Sequence, residues 1–405
     1  MESEISFVTS GTITTPASFL AGATAAGIKT HEAGAADLGI LYSETAATAA
    51  GVFTINRIKA APLLVTAARL PANGIRALVV NSGCANTAVG EVGKKDAIHM
   101  TELAAAHTGV AVEAVLVAST GVIGCRLPMP LIEKGVGDIT LSREGGHHLA
   151  EAIMTTDTVP KEAAVTVNSG GISFSIGGIA KGSGMIHPDM ATLLGFLTTD
   201  AAVSRDFLAG AIRTAAAISF NMVSIDGDTS PNDMVIILAN GRAGNEPITP
   251  ASPLADVFQE ALNQACIRLA QGIARDGEGA TRLIEVTISG AASITEARAA
   301  ARTIVGSALV KTAAYGNDPN WGRIIAALGR SGVTVTEASL ELYLNGTCLL
   351  RDGCPLPFDR EEMVSRLKDH DVDIKLELNQ GTASATAWGC DLSQEYVIIN
   401  SAYTT

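Results

Sequence analysis

Two short runs, Ala77-Leu-Val-Val80 and Val115-Leu-Val-Ala118, contain no polar residue, and each leads directly into a glycine-containing loop. A bounded apolar run of this length without polar alternation reads as a strand covered on both faces. Two such strands deliver their loops to one edge of a sheet. Taken alone, the pattern supports a mixed α/β fold.

The helical signals agree. Over Ser252–Ala270, Ser252 is placed to cap, Pro253 suits a first turn, and Leu254, Val257, Phe258, Ala261, Leu262, Ala265 and Leu269 form one stripe. That stripe is plain core packing. Further helices are expected from Ser204 to about Phe220 and from about Ser293 to Ala308. Alternation of Val372, Ile374, Leu376 and Leu378 marks a late strand, turned at Asn379-Gln-Gly381. No low-complexity linker or internal repeat interrupts the chain.

A chain of 405 residues can bury a sizeable core, and its apolar content of 47% never accumulates into the ~20-residue run that a membrane span needs. The start, Met1-Glu-Ser-Glu-Ile-Ser-Phe7, has neither the basic end nor the apolar centre of a secretory signal, which argues for the cytoplasm. A net charge of −13 opposes nucleic-acid binding, so small-molecule partners are expected. Cys84, Cys125, Cys266, Cys348, Cys354 and Cys390 form no Cys-x-x-Cys pair and are expected to be reduced and mostly buried. No metal site is expected. Asp226-Gly-Asp228 with Asp233 lacks the closing Glu of a calcium loop and reads as a structural turn, as does Asp189 after Pro188. Neither a G-x-x-x-x-G-K-[ST] phosphate loop nor a G-x-S-x-G elbow occurs, which removes ATPase and α/β-hydrolase readings.

Chemistry concentrates in Lys181–Asp200, where Ala191 precedes Thr192. A threonine hydroxyl needs a base within hydrogen-bond reach, and a threonine freed at a new N-terminus carries its own, an α-amine whose reference pKa of about 8 lies near neutrality. The hydroxyl can also make the cut, by attacking the carbonyl of Ala191 to give an ester that water hydrolyses. By itself an Ala-Thr pair in an apolar run is more often buried strand.

Separated blocks change those odds. They are Val80–Gly90, Ala118–Gly124, Thr155-Thr-Asp-Thr-Val-Pro-Lys161, Lys181–Asp200, Ser219–Asp233, Ala274-Arg-Asp-Gly-Glu-Gly-Ala-Thr281, Val310–Arg323 and Tyr396–Thr405. In this order they resemble the ornithine acetyltransferase (glutamate N-acetyltransferase) family. The pattern departs at Cys84, where asparagine is expected, and at Met222, where arginine is common.

The resemblance implies a layered α-β-β-α sandwich with a smaller C-terminal α/β portion. The catalytic sandwich would span 1–280, the C-terminal portion 281–405, and autocleavage between Ala191 and Thr192 would give an alpha chain 1–191 and a beta chain 192–405. It implies acetyl transfer from N2-acetyl-L-ornithine to L-glutamate through acetyl-Thr192, a step of arginine biosynthesis, with Thr120 and Gly121 as the oxyanion hole. Substrate contacts would fall on Thr158, Lys181, Thr192, Glu278, Asn400 and Thr405. Lys181 would meet the α-carboxylate, and Glu278 or the terminal carboxylate of Thr405 the ornithine ammonium. No cofactor is implied; acetyl-CoA as a co-substrate stays open, with the bifunctional form preferred. The implied assembly is a heterotetramer of two alpha and two beta chains. Three alternatives also stay open: a monofunctional transferase, a self-cleaving aminopeptidase-type hydrolase, and an uncleaved binding or sensor scaffold.

Overall fold

A computed structural model describes residues 3–29, 34–187, 193–369 and 371–402, and a strand of 16 residues, Leu38–Phe53, organises it. The strands are β1 (Ser3–Phe7), β2 (Phe19–Thr24), β3 (Leu38–Phe53), β4 (Ala72–Asn81), β5 (Val115–Ser119), β6 (Lys161–Ser169), β7 (Ile172–Lys181), β8 (Leu194–Thr199), β9 (Val223–Ser224), β10 (Met234–Ala239), β11 (Leu283–Ala291), β12 (Glu341–Leu344), β13 (Thr347–Arg351), β14 (Cys354–Pro355), β15 (Val372–Glu377) and β16 (Ala383–Cys390). The helices are α1 (Ala61–Arg69), α2 (Glu91–Thr108), α3 (Met129–Asp138), α4 (Gly146–Ala152), α5 (Arg205–Ile218), α6 (Ala255–Arg275), α7 (Ile294–Val305), α8 (Ala308–Tyr315), α9 (Trp321–Gly329), α10 (Arg360–Asp369) and α11 (Gln394–Ala402).

One sheet runs β1-β6-β7-β8-β10-β3-β4-β5 with β2 also on β3; a second runs β14-β13-β12-β15-β11-β16-β9. β3 pairs with β10 over Thr48–Phe53 and with β2 over Leu38–Ser43, and its register on β4 slips between Tyr42 and Ala47. Such an irregularity bends a strand. The first sheet therefore doubles over, so that Leu78, Val80, Leu116 and Ala118 of one half share a core with Phe196, Ile236 and Leu238 of the other.

Side chains alternate along a strand, so the intervening residues face outward to helices. Ala77, Val79, Val115 and Val117 pack with Ala97, Met100 and Ala104 of α2. On the other side, Leu197, Val235 and Ile237 pack with Ile212 of α5 and with Leu262 and Leu269 of α6. Helix, sheet, sheet and helix follow one another, which is the α-β-β-α sandwich. The same core continues through Cys266 and Ile273 to Ile284, Val286 and Trp388 of the second sheet, over which Ala297, Ala301 and Ile304 of α7 also pack. Apart from β9, that sheet is built after residue 281, and it forms the smaller C-terminal α/β portion.

One local expectation needs correction. Ser252 does not cap α6; its hydroxyl accepts from the Thr249 nitrogen at 2.8 Å, a local turn, and the helix starts at Ala255 without a side-chain cap. The strand ending before Asn379 does not pair with the strand that follows the turn, because β11 lies between them, parallel to β15 and antiparallel to β16. By contrast Ser293 caps α7 by accepting from the Glu296 nitrogen. No helix among the described residues is long and apolar enough to cross a membrane.

Candidate active site

β4 and β5 run parallel and end side by side, Asn81 opposite Ser119. Both strands are buried at these ends, and their loops are stitched together: Thr120 N–H donates to Asn81 O at 3.0 Å, and Ala85 N–H to Val122 O at 2.9 Å. Asn232, itself buried, clamps the pair, since its amide donates to Ala85 O and to Ser119 O, both at 2.7 Å. Gly121 has φ +123°, and a Cβ there would stand 2.4 Å from the Gly83 carbonyl carbon and 2.6 Å from the Cys84 nitrogen. Only glycine fits. Gly121→Ala is expected to cost about 1–3 kcal/mol of stability, read as a lower urea midpoint, because both the loop and its backbone angle must change.

Lys181 closes β7 opposite Leu194, the first residue of β8. Its ammonium is buried, donates to Thr155 Oγ1 at 2.7 Å and lies 3.9 Å from Asp157 Oδ2. Burial lowers the pKa of Lys181, and Asp157 works against that shift. Asp157 is wholly buried, accepts from the nitrogens of Gly182 at 2.7 Å and Thr155 at 3.0 Å, and pairs with Lys161. Burial works against its charge, but Lys181 and Lys161 prevail and hold its pKa at about 2. Lys161 also pairs with Asp276, which accepts from both the nitrogen and the hydroxyl of Thr158. These side chains form one continuous charged chain through the interior.

Glu278 follows α6, and Gly184 passes so close beneath it that a Cβ would stand 2.4 Å from the carboxylate. Glu278 Oε2 accepts from Asn400 Nδ2 of α11 at 2.7 Å. Asp226 accepts from the nitrogens of Met185 and Ile186, while burial pushes its carboxyl above the usual range. Burial, with Asp226 and Glu278 nearby, also raises the Tyr396 phenol.

These groups surround a cleft of about 700 Å³, open to solvent, whose lining includes Thr120, Gly121, Thr155, Lys181, Asp226, Asp228, Glu278, Tyr396 and Asn400. Five residues expected from sequence, Thr120, Gly121, Lys181, Glu278 and Asn400, thus come together from four separate stretches of chain. Thr158 lies elsewhere: it is exposed, held on Asp276, and the lining takes Thr155 and Thr156 of its motif instead. Ala191, Thr192 and Thr405 lie outside the described residues, as do Pro188 and Asp189.

Sequence reasoning missed Asn232, Tyr396 and the lining role of Asp226 and Asp228. Asp226 does make the turn expected of it, yet it also faces the cleft. The density of acid and amide groups from Asp226 to Asp233 was the available signal. With a buried ammonium and several carboxyl groups around one cleft, the lining suits a small ligand carrying both charges.

Comparison with known proteins follows the same lines. The chain is 52% identical over its full length, and over all of the relative's, to the arginine biosynthesis bifunctional protein ArgJ of Dehalococcoides mccartyi. It is 49% identical to the protein of that name from Symbiobacterium thermophilum, over 98% of this chain and 99% of the relative. A crystal structure of the Bacillus halodurans arginine biosynthesis bifunctional protein argJ matches at 46% identity and a TM-score of 0.50, covering 51% of this chain and 97% of the solved one. A model of the ArgJ family matches residues 20–405. Sharing that match and these relatives along its length, the chain belongs to the ArgJ family.

Proposed function

We propose that this enzyme cuts itself between Ala191 and Thr192 and then carries the acetyl group of N2-acetyl-L-ornithine to L-glutamate on the hydroxyl of Thr192. The observation that carries this reading is the cleft at the start of β8. Lys181 pairs there with Leu194, two residues after Thr192, and the Thr120–Gly121 loop lines the same space. A cut at Ala191 leaves a second piece, 192–405, of about half the chain, and the solved Bacillus halodurans chain likewise matches 51% of this one.

The new α-amine takes the proton of the Thr192 hydroxyl as the oxygen attacks the acetyl carbonyl. The Thr120 hydroxyl and the Gly121 N–H donate to the oxyanion, a pair of donors each worth about 3 kcal/mol of barrier. Ornithine leaves with the proton, glutamate's amine then attacks the ester, and acetylglutamate departs as the hydroxyl regains its proton. Lys181 receives the substrate α-carboxylate, and Glu278, steadied by Asn400, receives the side-chain ammonium of ornithine.

The names of the matched relatives favour the bifunctional form, in which acetyl-CoA also acylates Thr192. The working assembly is two alpha and two beta chains in the cytoplasm.

Acetyl-labelled acetylornithine incubated with glutamate tests the reading. Label is expected in N-acetylglutamate, whereas label found only in free acetate would make the protein a hydrolase. In the same assay Glu278→Gln is expected to raise KM for acetylornithine by about 10- to 100-fold, the loss of one charge-assisted contact. An unchanged KM would remove Glu278 from the ammonium site.

A further inference from the structure

The loop after β4 holds two non-glycine residues, Asn86 (φ +52°) and Ala88 (φ +59°), in the left-handed region. Such strain persists only where the surroundings over-determine the backbone, and it gathers at sites that must be pre-organised. Between the two lies Thr87, a buried residue whose hydroxyl donates to Asn232 Oδ1 at 2.7 Å. Asn86 Nδ2 donates to Gly93 O at 2.9 Å, and Gly124 N–H donates to Thr87 O at 3.0 Å, which ties the strained loop to the one that follows β5.

Asn232 is where both loops meet. It lines the cleft yet is only 4% exposed, and its own N–H donates to Ser230 Oγ at 3.1 Å. A side-chain amide has two N–H donors, and Asn232 commits both, one to Ala85 O and one to Ser119 O. No donor is left for a ligand, so Asn232 acts on the cleft through the backbone it holds. The Ser119 carbonyl belongs to the same planar peptide unit as the Thr120 N–H, which donates to Asn81 O, and that plane is therefore fixed at both ends. Beyond Gly121, Val122 N–H donates to Gly83 O at 3.3 Å and Val122 O accepts from Ala85 N–H at 2.9 Å. Thr120 and Gly121 are suspended between two anchors. Asn232 holds one directly, at Ser119, and the other through Ala85.

Building on the acetyl-transfer reading above, we propose that Asn232 is the positioning residue of the oxyanion hole: it aims the Thr120 hydroxyl and the Gly121 N–H at the developing oxyanion without touching it. Thr87 in turn fixes the orientation of the amide. Donors already aimed at the charge need no reorganisation as it forms, so their placement is felt in the transition state more than in substrate binding.

Wild type and Asn232→Ala, both as cut chains, would be loaded with acetylornithine carrying carbon-13 at the acetyl carbonyl, without glutamate. Mass reads the acetyl adduct, and isotope-edited infrared spectra read its carbonyl stretch, which hydrogen bonds to the oxygen lower. Asn232→Ala is expected to lower kcat by about 10- to 100-fold with KM for acetylornithine nearly unchanged, and to move the carbonyl band up towards that of a free ester. A wild-type kcat and band in the variant would overturn the positioning role, while the adduct leaves the transfer reading intact. Loss of folded enzyme with an unmoved band in what remains would make Asn232 merely structural and overturn it as well. A wild type that takes up no acetyl group would overturn both readings. Should Asn232→Ala fail to fold or to cut, Thr87→Val decides, since it keeps the amide and removes only the hydroxyl that orients it: a raised band, restored by Thr87→Ser, supports the proposal, and an unmoved band overturns it.

Discussion

Thr192→Ala is expected to remain a single chain of residues 1–405 and to lose at least about 10⁴-fold in acetyl transfer, because in the proposed mechanism one substitution removes the attacking oxygen from both the cut and the transfer. The two losses are linked but separable. Thr192→Ser retains a hydroxyl and an α-amine after cutting, so it is expected to cut and to keep activity within about 100-fold of wild type, the difference reflecting the missing methyl that restricts the side-chain rotamer. Intact mass reads the cut, and formation of N-acetylglutamate reads the transfer. A Thr192→Ala protein that still appears as two pieces would move the cut to another residue. An uncut protein with wild-type transfer would show that the hydroxyl is not the nucleophile. Partial cutting of Thr192→Ser with proportionate activity would instead support one residue serving both steps.

What could be read from the chain before its fold was known depended on whether the signal is local. The runs at Ala77–Val80 and Val115–Ala118 are legible because a strand covered on both faces must be apolar at every position, and both are buried in β4 and β5. The stripe of α6 is legible for the same reason, whereas its start is not: Ser252 can cap a helix or close a turn with Thr249, and only the surroundings choose. Pairing of β15 and β16 with β11 instead of with each other is a choice among distant partners, which alternation cannot express. In the site, Thr120, Gly121, Lys181, Glu278 and Asn400 came from resemblance to a family, not from spacing. No sequence rule links Asp157 to Lys181 or Asp276 to Thr158, since those contacts exist only once β7 and the end of α6 meet.

That interior charge chain yields the second large effect. Asp157→Asn is expected to destabilise the protein by about 3 kcal/mol or more, because removing one member of a buried pair leaves the other charge uncompensated. Lys161 keeps Asp276, so the burden falls on Lys181, which loses its ion pair while its ammonium still donates to the neutral hydroxyl of Thr155. Acetyl transfer should fall with stability, through a higher KM for the substrates whose carboxylate Lys181 is proposed to receive. The pH dependence identifies the cause. The folded-state pKa of Asp157, about 2, lies below its ordinary value of 3.8, so its ionisation stabilises the fold fully above about pH 4 and less as the pH falls through 4 to 2. Asparagine cannot titrate. The gap in unfolding free energy between wild type and Asp157→Asn should therefore be widest near neutrality and shrink by on the order of 2 kcal/mol between pH 4 and 2, as read by urea unfolding at each pH. A gap that stays constant across that window would mean the loss comes from altered packing or hydrogen bonding, and that the charge of Asp157 does not support Lys181.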